Sequence, residues 1–248
     1  MDKLQSILDT NPDYKLLSLA KLTAKLRGSG IPASVIVKYY KNRELVQIYK
    51  KPVKHQKEQY KIAALPYTFQ IDIVELPQYQ TQNKGHKNFL LLVELTSRKA
   101  FAYLLKSGTI SEVLRAYQKF LQEVGRPIVG LEGDAFFGAS EFKAFNTRHI
   151  QVKVGSAKDD HMLGRGNRLG IIDRLTRTLK DYIKKRMLDS GDLVWSKYLS
   201  EIIALYNDCP HRSLGGKTPN QVYGNRLLMA TVSVDAYWHN NKVFEANN

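Results

Sequence analysis

A single cysteine, Cys209, occurs in the 248 residues, which excludes an internal disulfide framework and any metal site that needs two thiolates from this chain. Long apolar runs are missing too. None approaches the roughly 20 residues that cross a bilayer, and the N-terminus MDKLQSILDTNPDYK lacks the apolar stretch and cleavage pattern of a secretory signal. No membrane partner is expected, and the setting predicted is intracellular and reducing rather than secreted. Internal repeats and low-complexity segments are absent. Acidic residues are in short supply: 23 Asp and Glu face 38 Lys and Arg, a formal net charge of +15. Folding does not require such an excess, so it points to a polyanionic partner, with nucleic acid favoured. With 43% hydrophobic and 25% charged residues, the composition is that of a packed protein rather than a disordered one.

Charge is unevenly spread. Residues 1–66 carry 13 Lys and Arg against 5 Asp and Glu. Within them Leu19, Leu22 and Leu26 recur at helical spacing behind a candidate cap, Ser18, and the turn Gly28-Ser29-Gly30-Ile31-Pro32 leads to a second helix over Ala33 to Tyr40. Two short helices and a tight turn suit either a DNA-binding helix-turn-helix or a packing module with solvated lysines. On the first reading Lys21, Lys25, Lys38 and Lys41 are the candidate DNA contacts. Residues 1–49 are thus expected to form a small basic helical domain, and 50–66, within KKPVKHQKEQYKIAALP, a basic linker.

From Tyr67 the pattern turns to strands: TFQIDIVEL, FLLLVELT and KAFAYLL. A helix over Ile110 to Val124 with Ser111 as its cap follows, then a compact strand PIVGL (127–131), a short strand IQVKV (150–154), and helices over Arg168 to Met187 and Trp195 to Tyr206. This order predicts an α/β fold with a mixed sheet flanked by helices.

Three acids stand out. Asp72 lies inside an apolar strand, where an ionised carboxylate is costly unless something compensates it. Asp134 directly follows the PIVGL segment, at a strand end where open α/β sheets place ligand-binding groups. Asp173 opens the helix LGIIDRLTRTLKDYI. At roughly 100° per residue, Arg177, Lys180 and Lys184 fall within about 40° of Asp173, while Ile172, Leu179 and Ile183 form a separate apolar side. A carboxylate therefore fronts a basic ladder suited to gripping a phosphate backbone. Three carboxylates gathered together would hold two Mg²⁺ or Mn²⁺ ions, since hard cations take oxygen ligands, and two metals suit phosphodiester chemistry. Each acid also has a plain alternative: a buried ion pair for Asp72, a turn former for Asp134, an i to i+4 salt bridge for Asp173.

These residues resemble the catalytic core of retroviral-type integrases, of the superfamily with a DDE or DDD acidic triad, and most nearly the integrases of Polinton (Maverick) elements and large DNA viruses. The resemblance covers roughly Lys50 to Tyr223. FQIDIVELPQYQTQNKGHKNFLLLVELTSRKAFAYLL resembles the strand of the first catalytic Asp and the two strands after it. GLEGDAFFGASEFKAF resembles the second-Asp loop, GIIDRLTRTLKDYI the helix of the third acid, and YNDCPHRSLGGKTPNQVY the closing segment, through Tyr206, Asn207, His211, Thr218 and Pro219.

The resemblance implies a ribonuclease H-like core over 67–225, two bound Mg²⁺ or Mn²⁺ ions, and cleavage of DNA ends followed by strand transfer into target DNA, with catalytic and metal-binding roles on Asp72, Asp134 and Asp173. It further implies DNA partners (element ends and target duplex), a homo-oligomer, and work in a host nucleus or viral replication compartment. The third acid, usually Glu, is here Asp. Glu132 is the alternative second ligand if the loop is bulged, and the six residues between Asp134 and Glu141 put Glu141 in question as a helper. The family's His2Cys2 zinc module has His55 here but no cysteine, so no zinc is expected, and 226–248 is read as a short tail. Asp159, Asp160 and His161 precede the third-acid helix, and His161 is a candidate neighbour of the site. A retired integrase kept as a DNA-binding or structural protein is the alternative, and a nuclease on RNA–DNA hybrids a third.

Overall fold

A computed structural model describes residues 2–43, 64–146, 151–154 and 169–247. His55, Asp159, Asp160 and His161, and most of the expected linker, lie outside the described residues. In chain order the elements are α1 (Asp2–Thr10), α2 (Leu19–Lys25), α3 (Ala33–Lys41), β1 (Thr68–Glu75), β2 (Asn88–Glu94), β3 (Ala100–Leu105), α4 (Ile110–Val124), β4 (Gly130–Gly133), α5 (Ser140–Asn146), β5 (Gln151–Val154), α6 (Gly170–Ser190), α7 (Leu199–Asn207), α8 (Pro219–Tyr223) and α9 (Arg226–Asn247), joined in places by single 3₁₀ turns.

The strands form one sheet in the order β3-β2-β1-β4-β5. β1 pairs antiparallel with β2 and β2 with β3, whereas β1 with β4 and β4 with β5 are parallel. Every residue of β2 is buried, as expected of an interior strand covered on both faces. Alternation divides the core into two layers. Phe69, Ile71, Leu90 and Leu92 face α4 and α5, whose Val113, Tyr117, Phe120 and Phe142 they meet, while Val74, Phe89, Leu91 and Val93 face α6 and α7. Val113, Ala116, Tyr117, Phe120 and Val124 make the helical stripe that buries α4. The helix ends at Gly125, whose φ of +63° supplies the left-handed stop.

The sequence placed a cap at Ser111; the helix instead begins behind Thr109, and no side chain caps it at that position. Glu112 takes over the neighbouring donors, accepting from the backbone N–H groups of Lys106, Ser107 and Gly108 and from the Ser107 hydroxyl. Ser18 does cap α2, accepting from Lys21 N–H at 3.5 Å. The PIVGL strand is displaced, since pairing runs over Gly130–Gly133 rather than 127–131. Pro127 has no N–H to give a ladder, although Val129 N–H still reaches Tyr67 carbonyl at 2.8 Å.

The N-terminal helices share a core with the sheet. Leu4, Leu8, Leu16, Leu17, Leu22, Leu26 and Ile36 are buried in one cluster with Phe89, Ile172, Tyr182, Trp195 and Ile202. A salt bridge from Arg186 to Asp13 at 3.7 Å crosses the same junction. The last segment is helical from Arg226 to Asn247, with Leu214, Val222 and Met229 closing a small cluster at its root.

Candidate metal centre and nucleic-acid face

The parallel pairing of β1 with β4 sets Gln70 opposite Glu132. Asp134 follows β4 directly, and it lines the same cleft as Asp72 of the paired strand β1. Asp72 is half-buried and accepts a hydrogen bond from the Thr176 hydroxyl of α6 at 3.4 Å. Burial pushes its carboxyl up to about 6, and the charges of Asp134 and, less strongly, Asp173 push the same way; hydrogen bonds from Ile73 N–H and Thr176 oppose the rise. Of the three acids named from the sequence, Asp134 thus acts on Asp72 strongly and Asp173 only weakly.

Asp134 is exposed and caps the 3₁₀ turn Ala135–Gly138, accepting from Phe136 N–H at 3.0 Å. Gly133 before it is buried where a Cβ would stand 2.7 Å from Phe137 Cδ2 and 2.9 Å from Ile71 Cγ2. Only glycine allows the strand to lie this close to its neighbours, and that contact sets where Asp134 leaves the sheet. Asp173 sits half-exposed in the first turn of α6. A cleft of about 360 Å³ opens over the pair of strands and is lined by Asp72, Ile73, Val74, Glu75, Asp134, Phe136, Thr176 and Lys180. Asp173 influences Asp72 without lining that cleft, and among the described residues no three His, Cys, Asp or Glu side chains already close around one point.

Glu132 has another task. Its carboxylate accepts from Gln70 Nε2 at 3.2 Å, one step back along β4 from the cleft mouth. Glu141 is exposed at the start of α5 and accepts from the Ser140 hydroxyl; it does not line the cleft. Sequence reasoning missed Glu75, Thr176 and Gln70. Thr176 could have been found one helical turn after Asp173, and Gln70 by the same test that exposed Asp72, a polar side chain in an apolar strand.

The basic ladder is where helical geometry put it. Ile172, Leu179 and Ile183 are buried, Arg177 and Lys184 are exposed, and Lys180 borders the cleft. The N-terminal lysines divide. Lys21 turns inward, its ammonium 5.1 Å from the Tyr206 ring centre and 5.8 Å from that of Tyr182, and burial lowers its pKa. Lys25 donates to the Asp208 carbonyl at 2.7 Å. Lys38 and Lys41 are exposed in the last turn of α3.

The closing segment serves architecture. Buried Asn207 accepts from Ala100 N–H and donates to Ala100 carbonyl, both at 2.8 Å, pinning the edge strand β3. Thr218 and Gln221 form a capping box with Pro219 at the first turn of α8. His211 lies edge-on to Tyr206 at 4.8 Å and stays neutral, because burial, then Lys21 and Arg98, drive its pKa down to about 3. Glu94 is fully buried and accepts from the Ser97 hydroxyl at 2.6 Å and Tyr67 N–H at 2.9 Å. Asn207→Ala leaves both backbone groups of Ala100 without their side-chain partner; the expected loss in a urea melt is about 2 kcal/mol, and an unchanged midpoint contradicts the clamp.

A chain of the simian T-cell lymphotropic virus intasome, solved with PP2A regulatory subunit B56 gamma, matches this architecture with a TM-score of 0.55 at 20% identity, over 84% of this chain and 75% of that one. The fold is ribonuclease H-like, a mixed sheet flanked by helices. The HTLV-2 integrase catalytic core domain, solved with magnesium, aligns with 65% of this chain and 99% of its own at 20% identity and a TM-score of 0.49. In sequence, the retrovirus-related Pol polyprotein from transposon TNT 1-94 of Nicotiana tabacum is 25% identical over 150 residues, 57% of this chain and 11% of that protein. A transposon-derived protein of Caenorhabditis elegans is 26% identical over 145 residues, 57% of this chain and 48% of its own. The chain thus spans under half the length of either relative. No family model matches it.

Proposed function

We propose that this chain is an integrase or transposase-type DNA nucleotidyl transferase that cuts the ends of a mobile or viral DNA element and joins them to target DNA. The observation that carries this reading is the cleft that Asp72 of β1 and Asp134 after β4 line together, with Thr176 and Lys180 of α6, the helix that Asp173 opens, beside them. Carboxylates crowded together gain from a cation between them, and the cleft offers oxygen donors without sulfur or imidazole, a set suited to Mg²⁺ or Mn²⁺ rather than zinc. Asp72, Asp134 and Asp173 would hold two such ions. Bound there, divalent cations supply Lewis-acid charge to a scissile phosphodiester.

The chain's own residues do the rest. Thr176 fixes one oxygen of Asp72 and so the direction of its lone pairs. Lys180 brings a cation to the rim, and Arg177 and Lys184 extend the positive face along α6 for the DNA backbone. Exposed Lys38 and Lys41 would reach DNA farther away; Lys21 and Lys25, engaged with Tyr206 and Asp208, contribute less. Kinship with Polinton and large-DNA-virus integrases, a homo-oligomeric assembly on two DNA ends, and work in a host nucleus or viral replication compartment belong to the same proposal. Its test is Mn²⁺-dependent cleavage of a short duplex and joining of the product to a second duplex; a folded, DNA-binding protein that does neither at any duplex sequence and any Mn²⁺ concentration refutes it. For the basic face, Lys180→Ala combined with Lys184→Ala is expected to lower the slope of log affinity against log salt by about 1 to 2, in fluorescence anisotropy with duplex DNA. An unaltered slope moves the DNA elsewhere.

A further inference from the structure

Gln70 is fully buried in the central strand, and its amide reaches residues within two positions of each of the other two acids. Its Oε1 accepts from Ile172 N–H at 3.0 Å, the residue before Asp173, and its Nε2 donates to Glu132 at 3.2 Å, two residues before Asp134. Gln70 itself stands two residues before Asp72, on the same face of β1. One side chain therefore touches the three segments that deliver the three carboxylates. We propose that Gln70 is a positioning residue that sets β1, β4 and the first turn of α6 in the mutual register from which Asp72, Asp134 and Asp173 can close on a metal ion. The inference rests on the reading of those acids as metal ligands.

The physical grounds are those of a buried amide. An amide presents one acceptor and two donors in a rigid plane, so satisfying both Ile172 N–H and the Glu132 carboxylate fixes the helix and the strand relative to each other and not only to β1. The accepted N–H belongs to the first turn of α6, where helical donors have no partner inside the helix, so the amide also fills a vacancy that a hydrocarbon side chain would leave open. A leucine of similar volume would keep the packing and lose both bonds; the carboxylate of Gln70→Glu would keep the bond from Ile172 and oppose Glu132.

The test uses the full chain and Mn²⁺ itself. Mn²⁺ binding is measured by calorimetry at pH 7.5, with thermal unfolding alongside, for the native protein, Asp72→Asn, Gln70→Leu, Gln70→Glu, and Gln70→Glu combined with Glu132→Gln. In the last, the donor and acceptor exchange sides, and both bonds are regained with the total charge unchanged. The expected result is an affinity for Mn²⁺ at least tenfold weaker in Gln70→Leu and Gln70→Glu, with return to within about threefold of native in the exchanged pair. The Mn²⁺ concentration for half-maximal cleavage should move by the same factors. A folded Gln70→Leu that binds Mn²⁺ as the native protein does, or an exchanged pair as weak as Gln70→Glu alone, overturns the positioning role. If instead Asp72→Asn binds Mn²⁺ undiminished, the metal reading falls and this inference with it, whereas loss in Asp72→Asn beside native binding in Gln70→Leu removes the role of Gln70 alone.

Discussion

Asp72→Asn is expected to abolish activity and to stabilise the metal-free protein at the same time. The neutral amide is nearly isosteric, so packing against Thr176 and the strand survives, but one anionic oxygen ligand is lost from the cleft. Mn²⁺-dependent strand cleavage should fall at least a hundredfold, on the order of 3 kcal/mol in the barrier. The same substitution removes a charge that is half-buried beside Asp134 and Asp173. The folded-state pKa of Asp72 is about 6 against an ordinary 3.8, so at pH 7.5 ionising it costs the folded state about 3 kcal/mol more than the unfolded chain. Relieving that cost should raise Tm by several degrees at pH 7.5 without metal. At pH 4, where the native carboxyl is protonated, the two proteins should melt alike. Loss of activity with loss of stability would instead mark Asp72 as a structural residue.

Acidity should weaken metal binding in a range where ordinary carboxylates are still fully charged. A cation and a proton compete for Asp72, and the proton gains ground once pH drops below about 6. Affinity for Mn²⁺ is expected to be level above pH 7 and to fall towards tenfold per unit below 6, so that a titration at pH 5 shows binding about tenfold weaker than at pH 7.5. Stability of the metal-free protein runs the opposite way. Because the folded pKa is raised, the contribution of Asp72 to stability is fully present below the unfolded value near 3.8 and is lost as pH climbs through about 6. A metal affinity independent of pH from 5 to 7.5 would mean that Asp72 is not a ligand.

Both expectations start from features visible in the amino-acid order. An acid in the apolar run FQIDIVEL is conspicuous because strand interiors tolerate charge poorly, and the Asp173 face followed from helical periodicity, which survives folding unchanged. The sheet and its flanking helices were legible for the same reason: Phe69, Ile71 and Val74, like Val113, Tyr117 and Phe120, carry the periods of 2 and 3.6 on which packing depends. The bounds of the fourth strand were not legible. The apolar run Ile128-Val129 suggested a strand three residues early, since Ile128 packs in the core without lying on the ladder. The inward turn of Lys21 and the shared core of the N-terminal leucines depend on α6 and α7, far along the chain, and no local pattern announces a distant partner. The helix of α9 was likewise not legible, its apolar residues being spread around it, with Leu227, Val234, Tyr237 and Trp238 exposed and Met229 buried. Gln70 was overlooked because an amide attracts less notice than a charge, although it reaches the neighbours of both other acids.

The most direct measurement is anomalous diffraction from a crystal grown or soaked in millimolar Mn²⁺. The account predicts a manganese peak between the carboxylates of Asp72 and Asp134, about 2.1 Å from an oxygen of each, with Asp173 turned towards the same cleft. Fully ordered aspartates without manganese between them, or manganese held only at Glu132 or Glu75, would contradict it.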